Sequence, residues 1–195
     1  MKATQQKKKQ EVNVFSLSSM ATFKGFIKNG LDSSTLINII VCFDSNFDEY
    51  RKRGFTFTSN FFYYHEISRS EVIGVLINKH NFQVDEAKNS FNKLEKEFNM
   101  TKIIRNDATD ASYEQIAREA NDRVIKTENN PKLRICDQDI IIIGGFLRDT
   151  VNFVHTGDVA FQKTCTELKL NLVPLPERDI KKEEEIKKWM KKKSS

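Results

Sequence analysis

The chain has 195 residues, 38% of them hydrophobic and 30% charged, with a formal net charge of +5. That length suits one well-cored domain plus tails. No apolar run is long enough to span a bilayer and the N-terminus lacks the apolar core of a secretion signal, so a cytoplasmic protein without a membrane partner is expected. Residues 1–10 and 178–195 each carry +4 and leave a body of −3, a division suited to touching a polyanion at the edges while carboxylates cluster elsewhere.

Residues 1–20 show no periodicity and read as a basic flexible arm, with one domain over residues 21–176. Phe26-Ile27 opens a short strand ending near Asp32, followed by a helix that Ser or Thr groups cap. Phe43 to Gly54 is a polar connection, and Phe55 to Tyr64 has the aromatic and Thr content of a strand. Ser68 or Ser70 then caps a helix through Val72 to Ile77, with Glu71 in its first turn. A carboxylate there favours the helix dipole, so Glu71 taken alone is a cap more often than a catalyst.

Apolar residues at helical spacing from Phe82 to Met100 predict a helix, Thr101 to Arg105 a short strand, and Tyr113 to Lys126 a further helix broken by Asn129-Asn130-Pro131. Ile140 to Ile143 must be buried, as strand or helix alike. Gly144-Gly145 would each cost a helix about 1 kcal/mol against Ala, which marks a place where another element packs close. Val151 to Val154 reads as a strand ended by the turn His155-Thr156-Gly157-Asp158, Phe161, Cys165 and Leu168 as the buried stripe of a helix, and Leu170 to Leu175 as a last strand. Residues 177–195 read as a basic helical tail with a small apolar strip at Ile186, Trp189 and Met190. Cys42, Cys136 and Cys165 are odd in number and widely spaced, which points to buried free thiols rather than disulfides or zinc ligands. The alternation of strands and helices predicts a three-layer α/β/α fold around a central parallel sheet.

In such a sheet ligands gather outside the carboxyl ends of the strands. Asp32, Asp158 and the helix turn holding Glu71 follow predicted strands, and Asp137 and Asp139 open the buried element beside them. Carboxylates crowded together take up protons unless a cation neutralises them, and Mg2+ or Mn2+ suits an oxygen-only set that also receives phosphate. Those residues argue for phosphodiester hydrolysis by a metal-activated water. The chain has no Gly-x-x-x-x-Gly-Lys loop, Gly-x-Gly-x-x-Gly turn or Gly-x-Ser-x-Gly elbow, so the common nucleotide-binding and hydrolase readings lack support.

Four segments in order, Leu31-Asp32-Ser33-Ser34-Thr35-Leu36, Ser70-Glu71-Val72-Ile73-Gly74, Asp137-Gln138-Asp139-Ile140 and Thr156-Gly157-Asp158-Val159-Ala160-Phe161, together resemble the acidic motifs of PIN-domain nucleases. The likeness runs from about Phe26 to Leu175, with Gly144-Gly145 where that family usually has alanines. It implies that Asp32, Glu71, Asp139 and Asp158 are the catalytic, metal-binding acids, with Asp137 an auxiliary ligand. It also implies that Ser33, Ser34 and Thr156 orient water or substrate. The expected activity is Mg2+- or Mn2+-dependent cleavage of RNA, with homodimers and an antitoxin or RNA-processing protein as partners. Arg69, Lys79 and the basic tails are candidate contacts to the nucleic-acid backbone. Two alternatives stand beside this: a PIN-like RNA-binding or assembly module without chemistry, and a DNA or flap nuclease of related fold.

Overall fold

Alternation places Ile27, Asn29 and Leu31 on one side of the first strand and Lys28 and Gly30 on the other, and this strand, β1 (Ile27–Leu31), is the centre of the sheet. The computed structural model describes residues 26–42 and 60–174. Around β1 stand β2 (Asn60–His65), β3 (Thr101–Ile103), β4 (Phe153–Thr156) and β5 (Asn171–Pro174), all parallel, in the order β3-β2-β1-β4-β5. The helices are α1 (Ser33–Cys42), α2 (Glu66–His80), α3 (Val84–Glu97), α4 (Asp107–Glu128), α5 (Asp137–Arg148) and α6 (Val159–Glu167), with a 3-10 turn at Pro131–Leu133.

The chain steps outward from β1 to β3, then returns across the sheet to β4 on the other flank of β1. That reversal leaves a crevice at the carboxyl ends of β1 and β4, the place where open α/β sheets bind ligands. Helices cover both faces. Leu31, Phe62 and Tyr64 pack with Leu36 and Ile39 of α1, Val72 and Leu76 of α2, and Phe91 and Leu94 of α3. Ile103, Val154 and Leu172 pack with Ile140, Ile143 and Phe146 of α5, Ala117 of α4 and Phe161 and Cys165 of α6 on the other face. Each Leu, Ile, Val or Phe among them contributes about 1.5–3 kcal/mol on full burial. The two cores are what hold the sheet's carboxyl edge in place.

Several boundaries differ from the sequence expectation. The N-cap of α2 is His65, whose Nδ1 accepts from Ile67 N at 3.2 Å, so the helix starts earlier than Ser68 or Ser70 would place it. Ser68 is buried inside it, and Glu71 stands in the second turn rather than the first. Ile140 to Ile143 is helical. His155 and Thr156 belong to β4 rather than to a turn, because they pair with Leu31 of β1 and Pro174 of β5. Asn106 caps α4 through Ala108 N at 3.1 Å, which starts that helix at Asp107 instead of Tyr113. Cys165 is buried as expected, but Cys136 stands exposed at the N-terminus of α5. The basic arm at 1–20, the connection at 43–54, the strand's first part at 55–59 and the tail at 177–195 lie outside the described residues, as does the side chain of Cys42. Among the described residues no helix is long and apolar enough to cross a membrane.

Candidate functional site

Asp32 is the residue at which β1 becomes α1, and it is buried to 5% exposure. Its carboxylate accepts hydrogen bonds from Thr35 N at 2.8 Å, from Ser34 Oγ at 2.9 and 3.0 Å, and from Thr156 Oγ1 at 2.5 Å. Burial nevertheless outweighs those bonds and pushes the carboxyl up to about 6. Ser34 Oγ also accepts from Gly157 N at 2.9 Å, and Thr156 Oγ1 accepts from Asp158 N at 3.1 Å. The two hydroxyls thus clip the end of β1 to the β4–α6 junction.

Asp158 follows β4 as the N-cap of α6, its Oδ1 accepting from Phe161 N at 2.7 Å, and the side chain remains exposed. Glu71 reaches the same crevice from α2, where its Oε2 accepts from Ser33 Oγ at 2.6 Å. Asp139 sits in the first turn of α5 and accepts from Cys136 N at 3.4 Å and from Cys136 Sγ at 3.2 Å. Its carboxyl is raised, by burial first and then by the charges of Asp158 and Glu71, while the Cys136 bonds act the other way. Beneath them lies Cys165, whose thiol is pushed up by burial and then by Asp32 and Asp139. The bonds through Ser33, Ser34 and Thr156 tie Asp32, Glu71 and the start of α6 at Asp158 to the carboxyl ends of β1 and β4, and Asp139 lies near enough to feel the charges of Asp158 and Glu71.

Asp137 points elsewhere. Its carboxylate pairs with Arg118 at 3.0 Å and is 81% exposed, so α5 turns Asp139 toward the crevice and Asp137 toward α4. Ser33, Ser34 and Thr156 all spend their hydroxyl hydrogens on the acids. Arg69 is half-buried, with its guanidinium 5.6 Å over the Phe91 ring and bonded to Asn92 Oδ1 at 2.9 Å, so it is committed to the α2–α3 packing. Lys79 is exposed in the last turn of α2, about 12 Å along the axis from Glu71. Neither cation is brought to the acids. Sequence reasoning missed Cys136, although a cysteine three positions before an acid at a helix start is the spacing of a reciprocal cap.

A divalent cation is implied by the acids. Among the described residues no three His, Cys, Asp or Glu side chains are drawn together tightly enough to cage an ion. The chemistry of the donors still fits one: the set is carboxylate oxygen, and no Lys or Arg among the described residues pairs with Asp32, Glu71, Asp139 or Asp158.

A five-stranded parallel sheet clad by helices on both faces, with its reversal at β1 and β4, is a PIN-like three-layer α/β/α fold. The chain matches no protein-family model and no curated protein. Among solved structures it is similar to a chain of VapBC2 from Rickettsia felis bound to a DNA fragment from their promoter, with a TM-score of 0.52 and 12% identity, over 77% of this chain and 100% of that one. At that identity the likeness is one of fold.

Proposed function

We propose that the chain is a metal-dependent endoribonuclease whose acids are Asp32, Glu71, Asp139 and Asp158. What supports this is the hydrogen bonding at the switch point: Ser33 bonds Glu71, Ser34 and Thr156 join Asp32 to the β4–α6 junction that Asp158 caps, Asp139 feels the charges of Asp158 and Glu71 after the larger effect of its burial, and no Lys or Arg among the described residues pairs with any of the four. Mg2+ or Mn2+ bound there would neutralise the carboxylates and polarise a phosphate oxygen. The protein's own part is to hold the acids: Thr156 and Ser34 fix Asp32, Ser33 fixes Glu71, and the helix caps fix Asp139 and Asp158. Glu71 and Asp158 are exposed, so the edge is open to a polymer. Hydrolysis would leave a 5′-phosphate and a 3′-hydroxyl. The VapBC2 likeness supports a small protein partner of the antitoxin kind, and a homodimer belongs to the same reading.

The second reading is a PIN-like binding module without chemistry. It is favoured by the saturated bonding of Asp32 and by the spread of the acids.

Labelled single-stranded RNA and DNA, incubated with Mg2+, Mn2+ or EDTA, separate these readings. Metal-dependent RNA cleavage is expected, lost by about a hundredfold or more in Asp32→Asn, Asp139→Asn and Asp158→Asn, as suits removal of a group that acts on the reacting phosphate. Asp137→Asn, which faces Arg118, is expected to keep most of the activity. RNA binding without cleavage, unaffected by EDTA and by the substitutions, would establish the binding module, and preference for DNA would move the substrate assignment.

A further inference from the structure

Among the buried polar side chains outside the acid site are Asn29 on β1, Asn60 on β2 and His155 on β4, at 0%, 7% and 0% exposure. They run across the middle of the sheet. Asn29 Nδ2 donates to Asn60 Oδ1 at 3.1 Å, and His155 Nε2 lies 3.1 Å from Asn29 Oδ1. A carboxamide oxygen only accepts, so Nε2 carries the hydrogen in that bond. Apolar residues would fill the same space with less at stake, because a buried polar group parted from its mate costs about 1–3 kcal/mol. Such a set is satisfied in one strand register and broken in the next.

That register is the one the acid site needs. Leu31 stands beside His155, and the His155 carbonyl accepts from Asp32 N at 3.2 Å and from Thr35 Oγ1 at 2.7 Å. The next residue, Thr156, carries the hydroxyl bonded to Asp32. A slip of β4 by one residue would turn His155 to the opposite face of the sheet. The same slip would take Thr156 away from the carboxylate.

We propose that Asn29 and His155 are positioning residues of the acid site: their side-chain bond locks β4 in register on β1 and so sets the Asp32 carboxylate against Thr156. The lock rests on the nuclease reading only for its effect on a bound cation. The register itself is a property of the sheet.

The test compares the full chain with His155→Leu, with His155→Gln, which keeps a donor within reach of Asn29, and with the double Asn29→Leu/His155→Leu. Amide hydrogen exchange is read residue by residue, and Mn2+ affinity is read by calorimetry below the melting transition. In His155→Leu the Asp32 amide is expected to exchange about tenfold faster while amides of the β2–β3 pair keep their rates, with Mn2+ bound about tenfold more weakly. His155→Gln is expected to recover most of both losses. Should His155→Leu fail to fold, the double variant, which removes both partners of the bond, is expected to show the same local loss. A merely structural role would speed exchange throughout the sheet and leave Mn2+ affinity of the folded protein unchanged. That pattern, or an Asp32 amide unaffected in the variants, overturns the proposal. If the wild-type chain binds no Mn2+, the cation reading falls, and exchange at Asp32 alone decides on the register lock.

Discussion

Burial lifts Asp32 to about 6, so at neutral pH the folded chain keeps an ionised carboxylate against its desolvation cost. Because the folded value lies above the ordinary 3.8, the stability that comes from proton uptake is complete below 3.8 and is lost as the pH rises through about 6. Asp32→Asn carries no charge at any of these pH values and keeps an oxygen acceptor for Thr156 or Thr35. Measured in EDTA, it is expected to raise the melting temperature near pH 8, by the equivalent of up to about 3 kcal/mol, since each tenfold change in proton affinity is worth about 1.4 kcal/mol. The gain should shrink toward pH 4. A variant less stable than the wild type at pH 8 would show that the hydrogen bonds to the carboxylate, and not its burial, dominate.

At the scale of elements, the packing of α5 explains the glycine pair. A Cβ on Gly144 would meet Glu114 N of α4 at 3.1 Å, and one on Gly145 would meet His65 Cδ2 at 2.9 Å and Ile103 Cγ2 at 3.0 Å. His65 and Ile103 are both buried, at 0% and 1% exposure, so neither can move aside freely. Gly145→Ala is therefore expected to destabilise the fold by about 1–3 kcal/mol. Gly74, inside α2 with nothing within 4 Å of its absent Cβ, is the opposite case: Gly74→Ala is expected to stabilise by about 1 kcal/mol. Denaturant midpoints of the two variants should move in opposite directions, and a common direction would refute this account of α5.

The same helix shows what can and cannot be read along the chain. That something packs hard against Gly144-Gly145 is visible locally, and so is Asp32 between an apolar strand and a run of capping hydroxyls. Whether Ile140 to Ile143 forms strand or helix is not, because four apolar residues satisfy both periods and only the contacts to α4 and β3 decide. Glu71 falls one turn further into α2 than expected because His65, a residue with weak capping propensity, takes the cap. The outward turn of Asp137 depends on Arg118, nineteen positions earlier on α4, and pairings of that kind leave no local signal.

For the whole molecule, acid is the condition that sets buried groups against one another. Burial holds His155 down to about 3 and His65 below its ordinary value. The folded chain thus refuses protons that the unfolded chain accepts near pH 6.5, so the contribution of these histidines is complete above that value and is lost as the pH falls below it. Asp32 acts in the reverse sense between about 6 and 3.8. Urea midpoints are expected to fall from pH 7 to pH 5 in the wild type and to fall more steeply in Asp32→Asn, where the compensating proton uptake is gone. A flat profile in that variant would mean that the two rings take no part in acid unfolding.

Strand order has a further consequence. Asp32 and Thr156 are separated by 124 positions, yet each is held by the other, and β1 cannot acquire β4 as a neighbour until that late segment exists. During synthesis Asp32 and Glu71 leave the ribosome long before Asp139 and Asp158. A nascent or truncated chain that stops short of β4 holds three of the four acids but lacks Asp158, Thr156 and the strand that closes the crevice, so any reactivity the completed site has toward nucleic acid stays off while the chain is still being made.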